Sequence, residues 1–154
     1  MPYYYGTAYN ANSNGSANTN TSSLSTLGLA GLRYVIQKIM CGSYATPADN
    51  AIWIRANRTS VLSTAGSAIV PTPQTVDSPA AANIVKSGMT LGTLIAVPNV
   101  QLAFNQRGTA MWAAFNADEG LSGVGATASN AEVAIVNQCT GTSVNVNVNL
   151  IHSE

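Results

Sequence analysis

Charge is what this sequence has least of. Only 8% of its 154 residues are charged, against the ~25% usual in soluble domains. Six basic residues (Arg33, Lys38, Arg55, Arg58, Lys86, Arg107) offset six acidic ones (Asp49, Asp77, Asp118, Glu119, Glu132, Glu154), so the formal net charge is zero. Gripping a nucleic-acid backbone takes several clustered cations, and these are scattered, so nucleic acid is not an expected partner. A neutral surface of amides and hydroxyls favours association with proteins instead.

Chemistry-bearing residues are scarce as well. Histidine occurs once, as His152, at an end expected to fray, which is a poor place to build a Ser-His-Asp or Cys-His centre. Cys41 and Cys139 have no paired-ligand spacing for zinc, and in a reducing compartment two distant cysteines are expected to be separate core thiols. Asp118 and Glu119 are adjacent, so their carboxylates diverge, and the glycine-rich stretch from Gly120 to Gly125 is followed by no Gly-Lys-Ser/Thr. No enzyme activity, cofactor, metal or small-molecule substrate is expected. No apolar run approaches the ~20 residues a membrane helix needs, and Met-Pro-Tyr-Tyr-Tyr-Gly-Thr-Ala has neither the basic nor the apolar region of a secretory signal. Cytoplasmic synthesis without membrane insertion is the expectation.

What the sequence does have is β-pattern. Val144, Val146, Val148 and Leu150 alternate with Asn145, Asn147 and Asn149. Successive strand side chains point to opposite faces, so this stretch buries valines and shows amides. Ile151 falls on the amide side, and an apolar residue there marks a contact with another element or chain. Further strands are expected from Arg33 through Met40, at Ile52 to Ala56, Thr90 to Val97, Val100 to Phe104, Thr109 to Phe115, and Glu132 to Val136. The polar turn after Asn137 is expected to make a hairpin into the Val144 strand. Residues 78–88 carry a serine N-cap, a proline at the first position and a closing glycine, which predicts one short helix. Seven or eight strands at this spacing predict an all-β antiparallel sandwich, jelly-roll or immunoglobulin-like, over residues 32–154.

Residues 1–31 read differently. After Tyr3, Tyr4, Tyr5 and Tyr9 they are rich in Asn, Ser, Thr and Gly, with little to offset the entropy of ordering. An extended arm and linker is the expectation, its tyrosines anchoring a neighbouring subunit through rigid rings with polar tips. A first strand packed on its own domain is the alternative. Trp53 shares a strand face with Arg55. It is read either as packed on a second surface or as an interface anchor.

The run Arg107-Gly108-Thr109-Ala110-Met111-Trp112, then Asp118-Glu119-Gly120, Ala131-Glu132-Val133-Ala134-Ile135-Val136-Asn137 and Thr140-Gly141-Thr142-Ser143-Val144, resembles the small β-sandwich virion proteins of tailed bacteriophages, in particular capsid decoration or cement proteins. The likeness covers residues 33–154 in style and fixes no motif. It implies a homo-oligomer, often a trimer, on the outside of a virion capsid, binding major capsid protein and copies of itself. Tail-tube, adaptor or head-fibre subunits, and a glycan-binding jelly roll using Trp53, Trp112, Asp118 and Asn116, are the other readings.

Overall fold

The computed structural model describes residues 2–13, 21–27, 32–43, 46, 48–124, 132–139 and 144–154. Among them are twelve strands: β1 (Tyr3–Ser13), β2 (Thr21–Leu27), β3 (Arg33–Ser43), β4 (Ala51–Arg58), β5 (Ser67–Ile69), β6 (Thr72–Pro73), β7 (Ile84–Thr90), β8 (Val100–Asn105), β9 (Thr109–Ala113), β10 (Leu121–Val124), β11 (Val133–Cys139) and β12 (Val144–Ser153). They form two antiparallel sheets. The first runs β10-β3-β12-β1-β6, with β9 also on β3; the second runs β5-β7-β2-β11-β4-β8.

The alternation in β12 decides how the sheets pack. Val146, Val148 and Leu150 are fully buried and Asn145, Asn147 and Asn149 are half-buried on the other side, as the period of two requires. The buried set meets Ile39 and Cys41 of β3 and, across the layer, Ile52, Ile54, Val133 and Ile135 of the second sheet. Each sheet thus covers the apolar face of the other. At Gly6 of β1 the layers approach closely, since a Cβ there would lie 3.1 Å from the Val85 side chain. Cys41 and Cys139 are both buried and unbridged, and burial pushes the Cys41 thiol up to about 12.

Three expectations are corrected. Residues 78–88 form no helix: the chain is irregular to Asn83 and then enters β7, held between β2 and β5. A two-turn helix is marginal by itself, and strand pairing on both sides of Val85, Lys86 and Ser87 outcompetes it. The only helical turn among the described residues is Ala117–Glu119. β11 and β12 are not a hairpin either, for they lie in different sheets. Of the strand expected from Thr90 to Val97, only Thr90 is in a strand, as the end of β7, and residues 91–97 are irregular apart from a bridge from Leu94 to Thr59.

The N-terminal segment also departs from an extended arm. β1 lies inside the first sheet, paired with β12 from Tyr3↔Ser153 to Ser13↔Val144, and β2 lies inside the second between β7 and β11. The backbone hydrogen bonds of a sheet supply the order that the polar composition alone does not.

Two loops fold against the second sheet beyond β4. Thr64 bridges to Thr90, the Ser60 amide donates to the Thr93 carbonyl at 2.7 Å, and the Asn57 side-chain amide donates to the Ile95 carbonyl at 2.8 Å. Glu132, fully buried, locks them: its carboxylate accepts from the Ser63 amide at 2.7 Å and the Thr59 hydroxyl at 3.0 Å. The Ser63 hydroxyl in turn accepts from the Gly92 amide at 3.0 Å. Glycine is required at 92 because a Cβ would overlap the Val61 carbonyl.

Candidate functional site

Directly opposed residues of an antiparallel pair share a face. The registers therefore place Tyr5, Ile151, Lys38 and Ala113 in one row on the outer side of the first sheet, with Asn149, Met40 and Met111 in the next and Asn147, Gly42 and Thr109 in a third. Tyr3, two residues from Tyr5, points the same way. Tyr3 is 45% exposed, Tyr5 40% and Met111 58%.

Where Gly42 interrupts the side chains, a shallow pocket of about 410 Å³ opens, lined by Met40, Thr109, Met111, Asn147 and Asn149 among others. The Asn147 amide oxygen has no hydrogen-bond partner among the described residues. Apolar methionines, amides and rings on one flat face, with Lys38 as the charge of its first row, suit contact with another protein surface. Among the described residues no three His, Cys, Asp or Glu side chains gather as metal ligands do.

Of the residues singled out in the sequence, Tyr3, Tyr5 and Ile151 are brought together on this face. Tyr4 is not: it points inward, 1% exposed, its ring stacked on His152 with centroids 5.5 Å apart and its hydroxyl donating to the Pro79 carbonyl at 3.1 Å. The Tyr9 side chain lies outside the described residues. Trp53 lies on the outer face of the other sheet, 41% exposed, with the Arg55 guanidinium 5.5 Å from its ring centroid.

His152, expected at a frayed end, is fully buried instead. Its Nε2 faces the Glu154 carboxylate at 3.2 Å, and because a carboxylate only accepts, Nε2 carries the proton. Nδ1 then has no partner among the described residues. Burial lowers the His152 pKa, an effect that Glu154 only partly offsets. Burial also works to raise the Glu154 carboxyl, but amide donors at Asn83 (2.9 Å) and Ala82 (2.8 Å), with His152, outweigh it and hold that pKa below its ordinary value. The cluster fastens the end of β12 to the segment before β7.

Met40, Met111 and Phe115 were not singled out in the sequence. Two-residue spacing from Lys38 to Met40 and from Met111 to Ala113 shows which side chains share a face, but only cross-strand register shows that those faces join. Compared with known protein families and with characterised proteins, the chain matches none.

Proposed function

We propose that this chain is a non-enzymatic virion structural protein, a jelly-roll subunit that decorates and cements the outside of a phage capsid by binding major capsid protein and copies of itself as a homotrimer. Four pairings support the jelly-roll reading: β1 with β12, β2 with β11, β3 with β9, and β4 with β8. They nest first strand with last, and successive pairs alternate between the two sheets. That is the order obtained when one long antiparallel ribbon rolls up into two layers. β5, β6, β7 and β10 are additions to it. Jelly rolls recur in viral capsid and lectin domains, which favours a binding role.

The observation that carries the structural reading is the outer face of the first sheet, where Tyr3, Tyr5, Ile151 and Met111 meet amides on a flat surface. Cementing needs no chemistry, only area buried across several subunits at once. Its place is the capsid surface, after synthesis in the host cytoplasm, with no nucleic acid, membrane or small molecule involved. Other phage roles, such as tail tube, adaptor or head-fibre base, would use the same kind of face.

The test is cosedimentation of the purified chain with heads of the phage that encodes it, prepared without it. Saturable binding that falls at least tenfold with Tyr5→Ala plus Ile151→Ser supports the proposal, and absence of binding overturns it. A glycan-binding jelly roll is the second reading, favoured by the exposed Trp53 with Arg55 over it. Glycan-array signal lost on Trp53→Ala would establish that role, and a blank array would remove it.

A further inference from the structure

Phe115 is 96% exposed, the most exposed aromatic ring among the described residues. It is not on a loose loop. The Asn116 side-chain oxygen accepts from the amides of Asp118 (2.9 Å) and Glu119 (3.1 Å), capping the turn Ala117–Glu119. The Glu119 carboxylate reaches back to accept from the Phe115 amide at 3.2 Å and the Asn116 side-chain amide at 3.3 Å. Reciprocal capping of this kind fixes the turn, so the ring is held out in water with its backbone already ordered. A preorganised aromatic projection loses little freedom on docking and is the usual form of a binding hot spot.

The same chain carries a place for such a ring. Between the two loops locked by Glu132 is an open pocket of about 540 Å³, lined by Val61, Leu62, Leu91, Leu94, Gly92 and three threonines. Val61 is 58% exposed at its edge, and Ile95 and Val97 extend the apolar surface beside it. Neither segment 59–64 nor segment 90–99 contains a charged residue, so a phenyl ring entering there displaces no ion's hydration. The Gly92 to Val61 contact fixes the separation of the two loops. Phe115 follows β9 of the first sheet, whereas the pocket lies against the second, and the exposure of Phe115 shows that it does not fill the pocket of its own chain.

We infer that Phe115 of one copy inserts into the Val61, Leu62, Leu91 and Leu94 pocket of the next, a head-to-tail contact by which this chain self-associates. Knob and pocket are different surfaces, so the contact is heterologous: it closes into a ring if the rotation between copies permits and otherwise runs on as a chain. The inference deepens the proposed self-association and rests on that part of it alone. It does not use the Tyr5 and Ile151 face.

The test uses two variants of the full chain, Phe115→Ala, which loses the knob, and Val61→Arg, which blocks the pocket mouth. Both positions are exposed, and unchanged thermal melting confirms that each variant folds. By light scattering the native chain is expected to be oligomeric and each variant monomeric, with self-association weakened at least tenfold. Mixed one to one, the variants are expected to form dimers, because the Val61→Arg copy keeps its Phe115 and the Phe115→Ala copy keeps its pocket. A monomeric native chain, a variant that associates as the native chain does, or a mixture that stays monomeric overturns the inference. Head cosedimentation of Phe115→Ala is read separately. Retained head binding with lost self-association leaves the capsid proposal standing, and lost head binding by the native chain overturns that proposal while the mixing result still decides this one.

Discussion

At the scale of single residues, the buried ring of His152 gives a pH dependence whose sign can be worked out. Its folded pKa lies below the ordinary 6.5, so as pH falls past that value the unfolded chain takes up a proton that the folded chain refuses. Stability therefore declines from about pH 6.5 downward until the folded pKa is passed. Glu154 acts the same way lower down: its folded pKa is also depressed, so its contribution is present above the ordinary 4.5 and is lost as pH falls through the folded value. Melting temperature followed from neutral pH down through both windows, well past the ordinary carboxylate range, should fall in each. Glu154→Gln should flatten the lower one, and His152→Gln the upper. Backbone strain gives a second test. Ala65 has φ of 58°, in the left-handed region that L side chains other than Asn and Asp rarely occupy. Ala65→Asn should raise unfolding free energy by ~0.5–1 kcal/mol, read from the urea midpoint. None of this was visible in the sequence, where His152 was simply close to an end and Ala65 one alanine among many. Register against Tyr4, and the turn between Thr64 and Ser67, are tertiary facts.

At the scale of elements, legibility followed the strength of the local signal. β12 is plain because valine and asparagine alternate through it, β4 and β8 alternate likewise, and β11 opens on the apolar run Val133-Ala134-Ile135-Val136. Ser78, Pro79 and Gly88 mimic helix punctuation around β7, while what decides its state is pairing with β2 and β5. The polar residues after β11 read as a hairpin turn, but turn residues do not say which sheet the next strand joins, and β12 is in the other one. β1 and β2 were hidden by their composition. Of the candidate face, Ile151 and two tyrosines were legible, but Tyr4 and Tyr5 could be told apart only once the partner strand was known. Glu132 offers the sharpest test at this scale. With its carboxylate removed, the Ser63 amide and Thr59 hydroxyl become buried donors without acceptors, and the pinned loops lose their lock. Glu132→Ala should cost ~3 kcal/mol in chemical denaturation. Amide exchange in residues 59–64 should accelerate while the strands of the first sheet stay protected.

At the scale of the whole molecule, the nested strand order makes the N-terminal segment part of the body. The first strand pairs with the last: β1 is laid along β12 from Tyr3 to Ser13. Its removal would leave the β12 backbone with an unpaired edge and uncover Leu150, Val148 and Val146, all fully buried in the intact chain. It would also take away Tyr4 and with it the stack on His152. An arm that merely reached toward a neighbour could be cut with the body intact, and removing its tyrosines would weaken only attachment. The two architectures therefore separate in one experiment. Deleting residues 1–13 should abolish the cooperative thermal transition and drive the chain into aggregates, whereas Tyr3→Ala with Tyr5→Ala, which trims only the outer face, should melt within a few degrees of the native chain. A truncated chain that still melts cooperatively would mean that β1 is dispensable, and the first sheet would then have to hold with β12 at its edge.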